Sequence, residues 1–401
     1  MWMSLAVAAL LAAWTWRWVS VDMSHYLVPW FDHIVAAGPV DAFAAPFANY
    51  TPPYLYLLAA STAFAGILPT VTIVKLLAML GTVALGVAMH RLLAALGAPR
   101  PARGAALLVA LPSVALNASA LGQCDAWWAA PCLMAVAAAV DRRHAAMLGW
   151  IGLAVAVKAQ AGFLAPFVAA LLIQRRVPPR LWPIAPAAGC LAMLPAVAAG
   201  WPPADLAGIY WRQADAFQLL AFNAPNIWMI VQMLPGVAAL PPLTGLALAA
   251  AAGAAIAYVA AFSHRPLGGG QLVGAALLAV LLVAGLLPRM HERFFFLADA
   301  LALALALTAG TRSSWTIAAL VQAGSALGLA AFMTNLAVLA VAGATAMILA
   351  TFLLFRTTLR APANDNPVLP PRRPASAGSR RFHGAGAPVA RNALAHGAVE
   401  G

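Results

Sequence analysis

Five short segments carry side chains able to do acid–base or anion chemistry in a chain that is otherwise apolar. In the first, Val21-Asp22-Met23-Ser24-His25-Tyr26, Asp22 directly follows an apolar run. A carboxylate at a lipid–water boundary combines partial desolvation with access to a substrate hydroxyl, the setting of a general base; a helix cap is its plainer role. The second, Leu121 to Trp128, sets Gln123 and Asp125 beside two indoles. Amide and carboxylate there can hold sugar hydroxyls while indole takes a ring face; Asp125 could equally cap the next helix. The third is Lys158-Ala159-Gln160 between two short apolar runs. Ionisable groups at such depth are functional hypotheses, and a lysine point charge suits a phosphate or pyrophosphate on a lipid carrier, unless it merely snorkels. The fourth packs Arg289, His291, Glu292 and Arg293 against Phe294-Phe295-Phe296. An arginine there could hold phosphate with Glu292 orienting it, or the group is an interfacial charge cluster. The fifth, weak on its own, is the amide pair Asn223 and Asn226 beside Trp228.

These residues must be carried by membrane helices. The chain has 401 residues, 64% of them hydrophobic and 8% charged. A soluble domain is roughly 25% charged, so a soluble enzyme and a disordered protein are both excluded. Long Ala/Leu runs without period-2 alternation choose helices over a barrel. Spans are expected at about 1–19, 71–92, 104–121, 126–140, 145–158, 160–174, 182–200, 242–262, 271–288, 294–310, 315–332 and 336–355. The fold class is therefore all-α and polytopic, with about 11–13 membrane helices. Several spans are shorter than a full crossing, which is tolerated where they line a cavity. The N-terminus lacks a basic leader region and reads as the first membrane helix.

The net charge of +12 would suggest nucleic acid in a soluble protein. Here the basic residues fall at Arg91–Arg103, Arg142–His144, Arg175–Arg180, Arg265, Arg312 and in the tail, which is the positive-inside pattern; no nucleic-acid partner is expected. Two loops on the opposite side, 20–70 and 201–241, are too long to be mere connectors. Each contains amphipathic sequence suited to lying in the interface. Residues 51–68 resemble a span, but crossing there would put Arg91, Arg100 and Arg103 outside; a half-buried outer segment begun by Pro52-Pro53 is expected instead. Asp32 and Asp41 read as solvated loop acids. A membrane domain of 1–360 is expected to be followed by a disordered, basic cytoplasmic tail over 361–401. The cysteines Cys124, Cys132 and Cys190 have neither disulfide nor zinc spacing. The sequons at Asn49 and Asn117 carry no weight.

Taken together, these segments resemble the GT-C class of membrane glycosyltransferases, nearest the bacterial relatives of GPI-type mannosyltransferases. The resemblance is carried by Asp22 with Pro29-Trp30-Phe31-Asp32-His33-Ile34, the Asn49-Tyr50-Thr51-Pro52-Pro53 segment, Lys75, the Gln123–Trp128 cluster, Lys158 to Phe167, Asn223 to Trp228 and His291 to Phe296. It covers about residues 20–300 and rests on order and outer placement more than on any one motif.

The resemblance implies inverting transfer of a sugar, mannose in the branch resembled, from a polyprenyl-phosphate donor to a glycan, lipid or protein acceptor. It implies a multi-pass protein of the bacterial inner membrane with its site facing the periplasm. By it, Asp22 matches the catalytic base. Lys158 and Arg293, with Arg289, His291 and Lys75, match the donor-phosphate positions. Tyr50, Gln123, Asp125, Gln160, Asn223, Asn226 and Glu292 are the candidates for sugar or acceptor contacts. The chain lacks the Asp-x-Asp pair that some members use for a divalent ion, so no cofactor or metal is expected. A secondary transporter or flippase is the competing reading; it would place polar groups at the bilayer midplane between repeated halves, whereas here they gather at one boundary.

Overall fold

In lipid a backbone must satisfy its own hydrogen bonds, so each apolar run winds into helix. The structure, a computed structural model, describes residues 1–215, 218–237 and 243–360. The expected tail over 361–401 and parts of the second loop lie outside the described residues. Helix α1 (Trp2–Thr15) leads to a π-helical turn at Met23–Leu27, then α2 (Val28–Ala37) and α3 (Pro52–Ser61). Next come α4 (Thr70–Ala95), the pair α5 (Pro101–Val109) and α6 (Pro112–Ser119), α7 (Asp125–Val140) and α8 (His144–Val157). A 3-10 segment, Ala159–Leu164, runs into α9 (Ala165–Ile173), followed by α10 (Ile184–Ala199). The second long loop holds α11 (Pro203–Asp215), the two-residue strand β1 (Ala221–Phe222) and α12 (Ile227–Gln232). The chain continues through α13 (Thr244–Phe262), α14 (Gly269–Leu286), β2 (Met290–His291), α15 (Phe296–Ala309), α16 (Arg312–Thr334) and α17 (Ala337–Arg360).

Among the described residues, six helical segments are long and apolar enough to cross a membrane unaided: α4, Pro179–Ala199, α13, α14, α16 and α17. The pair α5–α6, bent by 56° at Pro112, makes a seventh, and α1, α7, α8, Ala159–Ile173 and α15 are shorter apolar helices. These segments coincide with the expected spans, and the fold is all-α and polytopic as anticipated. The ambiguous stretch at 51–68 resolves as α3 and a 3-10 turn at Thr62–Phe64. Ten helical residues rise about 15 Å, half a hydrocarbon core. The chain does not cross there, because the start of α4 returns to the end of α1: Lys75 Nζ donates to the carbonyls of Thr15, Trp16 and Trp18 at 3.2, 2.7 and 2.7 Å.

The basic loops gather at one end. Arg91 pairs with Asp141, joining the ends of α4 and α7. Gln174 donates to the carbonyls of Phe262 and Arg265, and Arg176 to that of Leu267 at 2.6 Å, joining the end of α9 to the α13–α14 loop. The centre is formed by α7, α14 and α15, which are buried over most of their length. Small residues let helices approach: a Cβ on Gly343 would lie 2.8 Å from the Gly324 carbonyl oxygen, so α16 and α17 cross backbone to backbone there.

Candidate active site

At the end opposite the basic loops, Asp22, Gln123, Lys158 and Arg293 meet on the wall of a cavity of about 670 Å³. Each arrives through a break in regular structure. Asp22 precedes the π-helical turn behind α1. Gln123 follows Gly122, whose φ of +63° turns the chain from α6 to α7; a Cβ there would lie 2.3 Å from Met23 Cε, so glycine lets the first and second motifs touch. Lys158 ends α8 in extended conformation, φ −159° and ψ 139°, before the 3-10 segment. Arg293 follows β2, which pairs in parallel with β1 in the register Ala221 with Met290 and Phe222 with His291.

The charges interlock. Arg293 Nη2 donates to Asp22 Oδ2 at 2.8 Å and Nη1 to Glu292 Oε1 at 2.7 Å, while Nε stands 3.6 Å from Asp125 Oδ2. Lys158 Nζ donates to Asp125 Oδ1 at 2.7 Å. Asn117 Nδ2 and Trp128 Nε1 also donate to Asp125, both at 2.9 Å. The Lys158 ammonium lies 5.1 Å from the Tyr50 ring centroid and 5.9 Å from that of Phe294, a cation–π arrangement. Gln123 Nε2 faces Asp22 Oδ2 at 3.4 Å, and Tyr50 Oη faces Gln123 Oε1 at 3.5 Å. The Asp22 side chain is 26% exposed, whereas those of Asp125 and Glu292 are 0% exposed.

Burial shapes the titration. It pushes the Tyr50 phenol up to about 12 and raises the Glu292 carboxyl, with Arg293 opposing. It holds the His291 imidazole well below its ordinary range, with the Arg293 and Lys158 cations adding to the effect. His291 stacks on Phe222 at 4.9 Å between centroids, and the permanent cations on the cavity wall are Arg293, Lys158 and Arg289.

Of the other candidates, Tyr50, Gln160, Arg289 and His291 line the cavity. The buried oxygens Asn49 Oδ1 and Gln160 Oε1 have no hydrogen-bond partner. Asp125 and Glu292 do not line it; they sit behind Arg293 and Lys158 and hold them. Lys75 does not line the cavity: it is 0% exposed and engaged on the carbonyls that end α1, where orphan helix-end acceptors draw a cation. Asn223 and Asn226 are also elsewhere. Asn226 caps α12 by accepting from the Met229 amide at 3.2 Å and donates to the Leu287 carbonyl at 3.2 Å. Asn223, at φ +54°, forms a bridge with His291. Both fix the corner that carries Arg293 without reaching the cavity.

Three contributors are absent from the sequence-based set: Asn117, which orients Asp125, and Tyr210 and Gln213 of α11, which line the cavity. Tyr210 bonds the Val155 carbonyl and Gln213 that of Asn49. An amide inside an expected span was the available signal for Asn117.

Among the described residues no group of three or more His, Cys, Asp or Glu side chains is arranged to hold a metal ion. The three carboxylates near the cavity are each engaged by Arg293, and Asp125 also by Lys158.

The sequence matches no protein-family model and no curated protein. Among solved structures the fold is similar to that of ArnT from Cupriavidus metallidurans, crystallised with undecaprenyl phosphate bound. The TM-score is 0.50 at 13% identity, over 89% of this chain and 75% of that one. The likeness supports the all-α polytopic fold and does not bear on the mannosyltransferase branch.

Proposed function

We propose that the chain transfers a sugar from a polyprenyl-phosphate donor to an acceptor hydroxyl, with inversion, at the periplasmic face of the bacterial inner membrane. The observation that carries this reading is the juxtaposition of one partly exposed carboxylate, Asp22, with the cations Arg293 and Lys158 on a single cavity wall. The bound lipid of the structural neighbour, undecaprenyl phosphate, is the chemistry such cations suit. The cavity is also lined by Thr244 and Leu248 of α13 and by Val283 and Leu287 of α14. Only 22% of the apolar window of α13 is buried, a surface suited to a polyprenyl chain arriving from the bilayer. Mannose is the sugar expected from the branch resembled.

In the reaction, Asp22 removes the proton of the acceptor hydroxyl while its oxygen attacks the anomeric carbon. The bond from that carbon to the phosphate oxygen breaks on the opposite face. The phosphate leaves with the bonding pair, and Arg293 and Lys158 receive its charge within low-dielectric walls. Gln123, Gln160 and Tyr50 offer polar atoms for sugar hydroxyls.

The test is purified protein given a polyprenyl-phosphate sugar, with release of polyprenyl phosphate followed. The expected result is transfer by the wild type and its loss in Asp22→Asn, with donor binding retained. Wild-type rates in that variant would remove Asp22 from the mechanism. Lipid counterflow in liposomes without bond cleavage would replace the enzyme by a flippase.

A further inference from the structure

Arg293 is shared among three carboxylates that are not equivalent. Glu292 has a 0% exposed side chain and cannot leave it without stranding a buried charge; Asp125, equally inaccessible, stands 3.6 Å from Nε and is held in place by Lys158, Asn117 and Trp128. Asp22 is 26% exposed, lines the cavity and has water as an alternative partner. An anion that enters the cavity and seeks the Nη2 face of Arg293 therefore competes with Asp22 alone. While Asp22 Oδ2 accepts from Nη2 at 2.8 Å, the oxygen needed to take a proton is already engaged in a charge-assisted hydrogen bond.

Resting on the transferase reading above, we infer that Arg293 is a latch on the base: the donor phosphate displaces Asp22 from Arg293, so the carboxylate becomes free to accept a proton only once the donor is seated. Transfer is then ordered, with acceptor activation after donor binding. Gln123 is the positioning residue of this step. Its Nε2 remains beside Asp22 Oδ2 when the arginine is gone, and Tyr50 Oη, facing Oε1, sets the amide in that orientation. Glu292 keeps its grip on Nη1 throughout, so the guanidinium is held in place while it exchanges one anion for another.

The latch makes an unusual demand: removing the catalytic carboxylate must strengthen donor-lipid binding. The full chain in nanodiscs is titrated with polyprenyl phosphate, comparing wild type, Asp22→Asn and Gln123→Ala. Asp22→Asn should bind roughly tenfold tighter, a difference of about 1.4 kcal/mol, and Gln123→Ala should show no gain. The gain in Asp22→Asn should persist at raised ionic strength, because a through-space effect of a partly exposed charge is screened whereas competition for Nη2 is not. A lipid-bound structure should show Arg293 on the phosphate and Asp22 released. Equal or weaker binding by Asp22→Asn, a gain that vanishes with salt, or an Arg293–Asp22 pair intact in the lipid complex would each overturn the latch while leaving the transferase reading in place. Failure of the wild type to bind the lipid would overturn both.

Discussion

Lys158 has two duties that one substitution confounds, and a second substitution separates them. It is the buried counter-ion of Asp125, 2.7 Å away with both side chains nearly inaccessible, and it lines the cavity where the leaving phosphate would develop charge. Lys158→Met strands the Asp125 carboxylate. Breaking a buried pair costs about 3–5 kcal/mol. The lower end applies here, because Asn117 and Trp128 still donate at 2.9 Å and Arg293 Nε stands 3.6 Å away. Adding Asp125→Asn removes the stranded charge and keeps an acceptor for Trp128, so the double variant should recover most of that loss in a thermal-unfolding assay in detergent. Its transfer rate should not recover. Loss of one preorganised donor to a developing anion costs on the order of 10²–10³ in rate, about 2.7–4 kcal/mol, and methionine cannot supply it. The assay is turnover of a polyprenyl-phosphate sugar, normalised to folded protein. If Lys158→Met/Asp125→Asn regains both stability and turnover, Lys158 serves only to balance Asp125, and its place in the leaving-group chemistry is refuted.

The other predictions concern groups that position rather than react. Lys75→Met should cost about 2–3 kcal/mol by leaving three carbonyls at the end of α1 without their donor, with polyprenyl-phosphate affinity unchanged; lost affinity at unchanged stability would return Lys75 to the site. His291 gives a pH signature: the unfolded chain takes up a proton below about 6.5 that the folded imidazole, held low, refuses. Stability should fall as pH drops below 6.5, by at most about 1.4 kcal/mol per unit, and should be insensitive to this group above it. Glu292, raised by burial, slopes the other way, so the difference between wild type and His291→Gln is the measurement; parallel profiles would refute the assignment.

The helices were legible because lipid imposes a rule the sequence cannot evade: apolar length for each crossing and basic residues on one side. That rule also kept α3 on its own side before any contact was known. Within the site, Asp22, Lys158 and Arg293 stood out as charges at apolar boundaries, and those boundaries converge. The candidates that lie away from the cavity share one feature. Lys75, Asn223 and Asn226 are polar groups in apolar surroundings, the same signal as the site residues give, but their partners are backbone carbonyls and amides. Backbone acceptors left over at helix ends have no signature in the side-chain sequence, so a lysine that closes α1 and a lysine that meets an anion look alike until the chain is folded.

The same reasoning separates the lining of the cavity from its support. The sequence reads Asp125 as a sugar contact or a helix cap, and Glu292 as a sugar contact or the group that orients an arginine. Both are sealed behind the wall, each against a cation that faces the cavity, Glu292 against Arg293. A cation in an apolar site needs such a partner to stay charged and in place, and a fully paired cation has little left for a ligand. The site meets both demands by giving Arg293 two inaccessible carboxylates and one accessible one. The inaccessible pair fixes the guanidinium; the accessible carboxylate can be exchanged for a phosphate. Sequence composition reports only that the acids Asp22, Asp125 and Glu292 and the bases Lys158, Arg289, His291 and Arg293 are available here. The acids differ in exposure, 26% for the Asp22 side chain against 0% for those of Asp125 and Glu292, and in the proposed mechanism that difference lets one carboxylate act as a base while two others act as anchors.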